Sequence, residues 1–181
     1  MKETIVQVGA PVLRQTARAI AKKDIGSRSL NLLITKMSKA LANEEYGVAI
    51  AAPQVGSSLR MFIVAGHVFK EGGEEDTRSK KDEPNRIYIN PEITRMSKKK
   101  REMAEGCLSV RGQYGTVMRH EKVTLKALDE KGKPVLQHAS GLLAHIFQHE
   151  CDHLEGILYI DKAARLTDDS ERVHLREEFP A

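Results

Sequence analysis

The chain has 181 residues, 40% of them hydrophobic, with two cysteines and a formal net charge of +4. That length buries roughly 70% of the unfolded surface, enough for one self-sufficient core, and two cysteines exclude a disulfide framework. No apolar run reaches the ~18 residues of a membrane span, and Met1-Lys2-Glu3-Thr4-Ile5 opens no signal peptide, so the reading is a cytoplasmic chain with no membrane partner.

Cations outnumber acids only 29 to 25, and aromatic residues are 4%, which argues against specific nucleic-acid recognition. The densest basic run, Lys98-Lys99-Lys100-Arg101, reads first as a solvated face.

In chain order, Leu30, Leu33, Met37 and Leu41 recur every three or four positions between Ser27 and Glu45, a helical face with Ser27 or Ser29 as its cap. Leu59 to Ala65 and Arg86 to Asn90 read as strands. The charged stretch between them, about 67–85 with Gly72-Gly73, reads as an extended hairpin connection and a mobile insertion. Lys122 to Leu128 alternates polar and apolar, Asp129 to Lys133 turns, and Val135 to His138 returns. Ser140 opens a second helical pattern through Leu142, Leu143, Ile146, Phe147 and Leu154, and about 167–181 reads as a polar C-terminal tail or short helix. Strands around two separated helices make the class α+β.

The sharpest feature lies on the second helix: His149-Glu150-Cys151-Asp152-His153, an H-E-x-x-H. Random placement gives this pattern roughly 0.02 times in a chain of this composition. Residues four apart share a helical face, so both imidazoles reach one metal ion, and Glu150 stands where a general base is needed. His145 also lies four residues before His149. However, His145 and His153 are about 12 Å apart along the axis at ~1.5 Å per residue and cannot share an ion. Only the His149–His153 pair encloses a glutamate, which leaves His145 on the same face either as a wall residue or as a support behind the ligands.

A third ligand is required, with a position open to water. The metzincin pattern fails because Tyr159 stands where its last histidine belongs. A thermolysin-like glutamate stands at a possible distance at Glu171, but in a solvated-looking helix start. Cys107, in Glu105-Gly106-Cys107-Leu108-Ser109, is the remaining candidate, beside the alternative that a lone cysteine is a small buried hydrophobe. Cys151 points around the helix from the histidine face and reads as structural. The small-residue segment from Gly47 to Gly56 marks either close approach to the backbone or a tightly packed loop, and Gln54 is its one directed donor.

Gly47 to Gln54, Glu105 to Ser109 and Gln148 to Gly156 stand in the order and approximate spacing of the peptide deformylase motifs G-x-G-x-A-A-x-Q, E-G-C-x-S and Q-H-E-x-D-H. Gly9 to Arg14 is similar to that family's N-terminal G-x-P-x-L-R, and the resemblance runs from about Ile5 to Leu166. It implies a single catalytic domain over 1–181, with small antiparallel sheets packed around a central metal-binding helix. It also implies Cys107, His149 and His153 as metal ligands, with Fe2+ native and Zn2+, Ni2+ or Co2+ able to substitute. Glu150 is then the acid/base, and Gln54 and the Leu108 backbone N–H receive charge on the formyl oxygen. The implied substrates are N-formylmethionyl nascent peptides, hydrolysed to release formate. Gly47, Val48, Leu142 and His145 would line the substrate pocket, and the basic run would support weak ribosome association. Three positions depart from the pattern: Ala49 for the second glycine, Arg111 for a common proline and Ala10 for a common aspartate. Ala49 motivates the alternative of a deformylase-fold protein that binds metal or peptide without turnover.

Overall fold

The computed structural model describes residues 4–69 and 83–168. Most of the expected insertion and of the expected C-terminal tail lies outside these residues. Helix α1 spans Arg28–Ala42, and Ser27 caps it by accepting from Leu30 N at 3.3 Å. The strands that follow are β1 (Ala49–Ala51), β2 (Met61–Val64), β3 (Arg86–Met96), β4 (Lys100–Cys107), β5 (Val110–His120), β6 (Lys122–Leu128) and β7 (Pro134–Ser140). Helix α2 (Gly141–Leu154) and strand β8 (Arg165–Asp168) complete the described chain. No helix among the described residues is long and apolar enough to cross a membrane.

Two antiparallel sheets form, one in the order β1-β2-β3-β6-β7 and one in the order β4-β5-β8. The pleat of β2 sorts the core. Phe62 and Val64 pack toward α2 with Tyr88, Leu125, Phe147 and Leu154. Met61 and Ile63 face the other way, onto Leu30, Met37 and Leu41 of α1. Phe62, Tyr88 and Phe147 form an aromatic cluster with ring centroids 4.9 to 5.9 Å apart. A third cluster, Leu13, Val110, Val117, Leu158 and Tyr159, packs against the smaller sheet. The two sheets and α2 realise the expected α+β arrangement.

The structure departs from the sequence reading at two places. Lys98, Lys99, Lys100 and Arg101 are all exposed, as a solvated face requires, and Lys100 and Arg101 open the β4–β5 hairpin. Residues Arg165–Asp168 form a strand paired with Gln113 to Thr116, which takes 167 and 168 out of the expected tail or short helix. Residues Gly66–Phe69 form a three-ten turn, which takes in 67–69 of the expected insertion.

Candidate metal centre

Helix α2 carries His145, His149, Glu150 and His153, while the end of β4 supplies Cys107 and the turn to β5 supplies Leu108 and Ser109. Gly106 permits this turn to close, because a Cβ there would meet the Tyr114 ring at 2.8 Å. Neither turn residue, Leu108 or Ser109, adopts a positive φ. The turn is held from outside instead: Val8 N donates to Ser109 O (2.7 Å) and Gln7 Nε2 to Leu108 O (3.1 Å).

One ligand atom from each of Cys107, His149 and His153 lies within 4.8 Å of the others. Cys107 Sγ is 3.2 Å from His153 Nε2, and the two imidazoles stand nearly edge to face with centroids 5.0 Å apart. His149 Nδ1 contacts Glu105 Oε2 at 2.7 Å, which leaves its Nε2 for a metal. Burial opposes a charge on His149, but Cys107 and Glu105 on its two sides hold its pKa well above the ordinary value. The same surroundings that favour a positive charge on His149 would favour a metal cation in place of its proton. Burial, then His149, pushes His153 the other way and keeps it neutral, as a ligand must be. One thiol and two imidazoles, packed this closely and largely out of water, fit a divalent transition metal.

Glu150 is buried, its Oε2 has no partner among the described residues, and burial raises its pKa to about 7. Gln54 sits in a three-ten turn after β1. Its Oε1 accepts from Ala51 N (2.8 Å), and its Nε2 donates to Ser109 Oγ (3.2 Å) and lies 3.5 Å from Cys107 Sγ. These groups open on a cavity of about 550 Å³, lined among others by Gly47, Val48, Leu108, Leu142 and His145. Every sequence-predicted site residue except the fully enclosed His153 lines this cavity.

Sequence reasoning missed the support beneath the metal site. Glu105 accepts from Arg119 Nε (2.6 Å) and NH2 (3.0 Å) and contacts His145 Nε2 (2.7 Å) as well as His149. Arg119 also donates to Asp152 (2.6 Å), which Lys162 approaches at 2.7 Å. Tyr159, the residue that broke the metzincin pattern, stacks at 6.2 Å on His149 and donates to Gln113 O (2.8 Å). Glu105 lay inside a motif, but nothing local in the sequence marks Arg119 as its partner. Cys151 packs against the apolar core near α2, and burial pushes its pKa up to about 12. Ala49 is a strand residue with no positive φ, so its methyl is accommodated. Arg111 is taken up by Glu44 at 2.9 Å on the cavity rim.

The family model for polypeptide deformylase matches residues 2–169. The chain belongs to the polypeptide deformylase family. It is 43% identical over 162 residues to the peptide deformylase of Halothermothrix orenii, covering 90% of this chain and 94% of that one. It is 37% identical over 158 residues to that of Leptospira biflexa, covering 87% and 86%. A structure of the class I type b peptide deformylase from Acinetobacter baumannii bound to Met-Ala-Ser superposes with a TM-score of 0.76. The two sequences are 33% identical, and the match covers 90% of this chain and 99% of that one. Deformylases are metalloenzymes that remove the N-formyl group from nascent polypeptides, and this chain is a hydrolase of that kind.

Proposed function

We propose that Cys107, His149 and His153 hold one divalent metal ion, Fe2+ in the native enzyme, and that Glu150 is the acid/base of deformylation. Zn2+, Ni2+ or Co2+ can replace the iron, since the donor set suits each of them. The observation that carries the reading is the convergence of three ligand atoms within 4.8 Å on the helix that bears a buried, half-unpartnered Glu150. A bound cation there acidifies water and polarises a carbonyl oxygen.

The chain's own groups do the rest. Glu150, with its pKa raised to about 7, takes a proton and returns it to the leaving amine. The Gln54 amide, oriented by Ala51 N and Ser109 Oγ, and the Leu108 backbone N–H aim dipoles at the oxygen where charge develops. Gly47 and Val48 on one wall and Leu142 and His145 on the other receive the N-terminal methionine of an N-formylmethionyl nascent peptide. The Met-Ala-Ser bound to the Acinetobacter relative supports this placement. In this reading residues 1–181 act as one catalytic domain in the cytoplasm, and the exposed run at 98–101 gives weak ribosome association that added salt abolishes.

The test is formate release from formyl-Met-Ala-Ser by the anaerobically purified enzyme, with metal analysis of the same sample. Glu150→Gln is expected to retain metal while kcat falls roughly 10²–10⁴-fold. A variant as fast as the wild type removes Glu150 from the chemistry.

A further inference from the structure

On the side of α2 and the approach to β1, the cavity is walled by Val48, Ala49, Leu142, His145 and Ile146. Four of these are apolar, as a methionine side chain requires, and one is not. His145 is tethered through Nε2, 2.7 Å from Glu105 Oε1. Glu105 already faces the two-pronged Arg119 guanidinium and so acts as an acceptor, which places the hydrogen of this contact on Nε2 of His145. In the neutral ring the other nitrogen, Nδ1, is an acceptor whose position the tether fixes. It has no partner among the described residues, and it is not one of the side-chain atoms sealed from solvent without a bond. His145 itself is buried apart from the surface it gives to the cavity.

We propose that His145 sets the side-chain specificity of this pocket, its Nδ1 accepting a hydrogen bond from a substrate side chain of methionine length that ends in an N–H donor. Glutamine has that length, and its amide nitrogen stands where methionine carries its terminal methyl. An all-apolar pocket strips water from an amide and returns nothing, whereas an acceptor in the wall replaces the lost bond. The enzyme therefore turns over N-formylglutaminyl peptides beside N-formylmethionyl ones. This inference rests on the reading that the cavity receives the N-terminal side chain.

The experiment measures kcat and KM for formyl-Gln-Ala-Ser and formyl-norleucyl-Ala-Ser, with formyl-Met-Ala-Ser as reference. It compares the wild type, His145→Leu and His145→Gln at equal metal content. The glutamine-to-norleucine ratio of kcat/KM is expected to fall roughly tenfold in His145→Leu. In His145→Gln, which can donate to Glu105 and still present an oxygen, it is expected to stay within about threefold of the wild type. An unmoved ratio in His145→Leu, or a His145→Gln variant that follows it, overturns the proposal. Independently of any variant, the wild-type KM for the glutaminyl peptide is expected within about tenfold of the norleucyl value, and a wider gap also overturns it. Failure to turn over formyl-Met-Ala-Ser would instead count against the reading of the whole site.

Discussion

Glu105 accepts from Arg119 and contacts His145 and His149, while Glu150 keeps one carboxyl oxygen without a partner among the described residues. Both are buried, so burial pushes both pKa values up. In Glu105 the bonds from His145, His149 and Arg119 outweigh burial and hold it well below the usual carboxylate range. In Glu150 burial prevails, and the group sits at about 7. One carboxyl is thereby fixed as a permanent anion and the other is free to exchange a proton near neutrality. The two cysteines differ in their surroundings. Cys107 lies against two imidazoles, whereas Cys151 is pushed up to about 12 by burial among apolar neighbours. Cys107→Ser is expected to lower metal content at least tenfold on dialysis, because a hydroxyl replaces a thiolate donor. Cys151→Ala is expected to leave both metal content and formate release within about twofold of the wild type. Metal analysis before and after dialysis, with the formate assay, reads both outcomes, and equal loss in the two variants would end the distinction.

At the scale of elements, α2 and the β4–β5 hairpin both contribute to the site but were unequally legible. The i, i+4 histidines announced themselves on a helix with a clean apolar period; α1 and β6 followed from periodicity in the same way, β2 from an apolar run and β7 from the turn before it. The hairpin gave no such signal. Lys100-Arg101-Glu102 carries no hydrophobic alternation, and the turn at Leu108-Ser109 lacks the Gly or Asn that marks most tight hairpins. Its stability comes from residues far away in sequence, Gln7, Val8 and Gln54, so no window of local sequence contains the reason for it. Arg119 was invisible for a related cause: its partner Glu105 is 14 positions away, and the β4–β5 register sets Arg119 opposite Arg101, so only its long side chain reaches that carboxylate. The motif helix ends with a comparable long-range constraint. Gly156 has φ +73°, and a Cβ there would meet the Arg14 backbone at 2.7 Å. Gly156→Ala is expected to destabilise the fold by about 1–3 kcal/mol through backbone strain and that clash. Denaturant unfolding measures it; an unchanged midpoint would mean that the Arg14 segment yields without penalty.

At the scale of the whole molecule, the site fastens the smaller sheet to the helix that packs on the larger one. Cys107 comes from the β4 side and both histidines from α2, so a bound metal stabilises the folded state only while the two are together. Chelation is expected to lower the melting temperature and to raise amide exchange in β4 and β5 more than in β6 and β7. Uniform deprotection would place the metal's contribution elsewhere. The chain of charges beneath it, Glu105–Arg119–Asp152–Lys162, makes the same connection without a metal and carries a pH signature. Glu105 has its folded pKa depressed below the ordinary 4.5. Its stabilising effect is therefore complete above that value and is lost progressively as pH falls below it toward the folded pKa. Glu105→Gln leaves the Arg119 guanidinium buried with half its carboxylate partners, which costs about 3–5 kcal/mol at neutral pH. Compared at equal metal loading by urea unfolding, the gap between wild type and variant is expected to hold from pH 7 down to about 5 and to narrow below about 4. A gap that stays constant to pH 3 would mean that the shape of Glu105, and not its charge, holds the two halves of the site together.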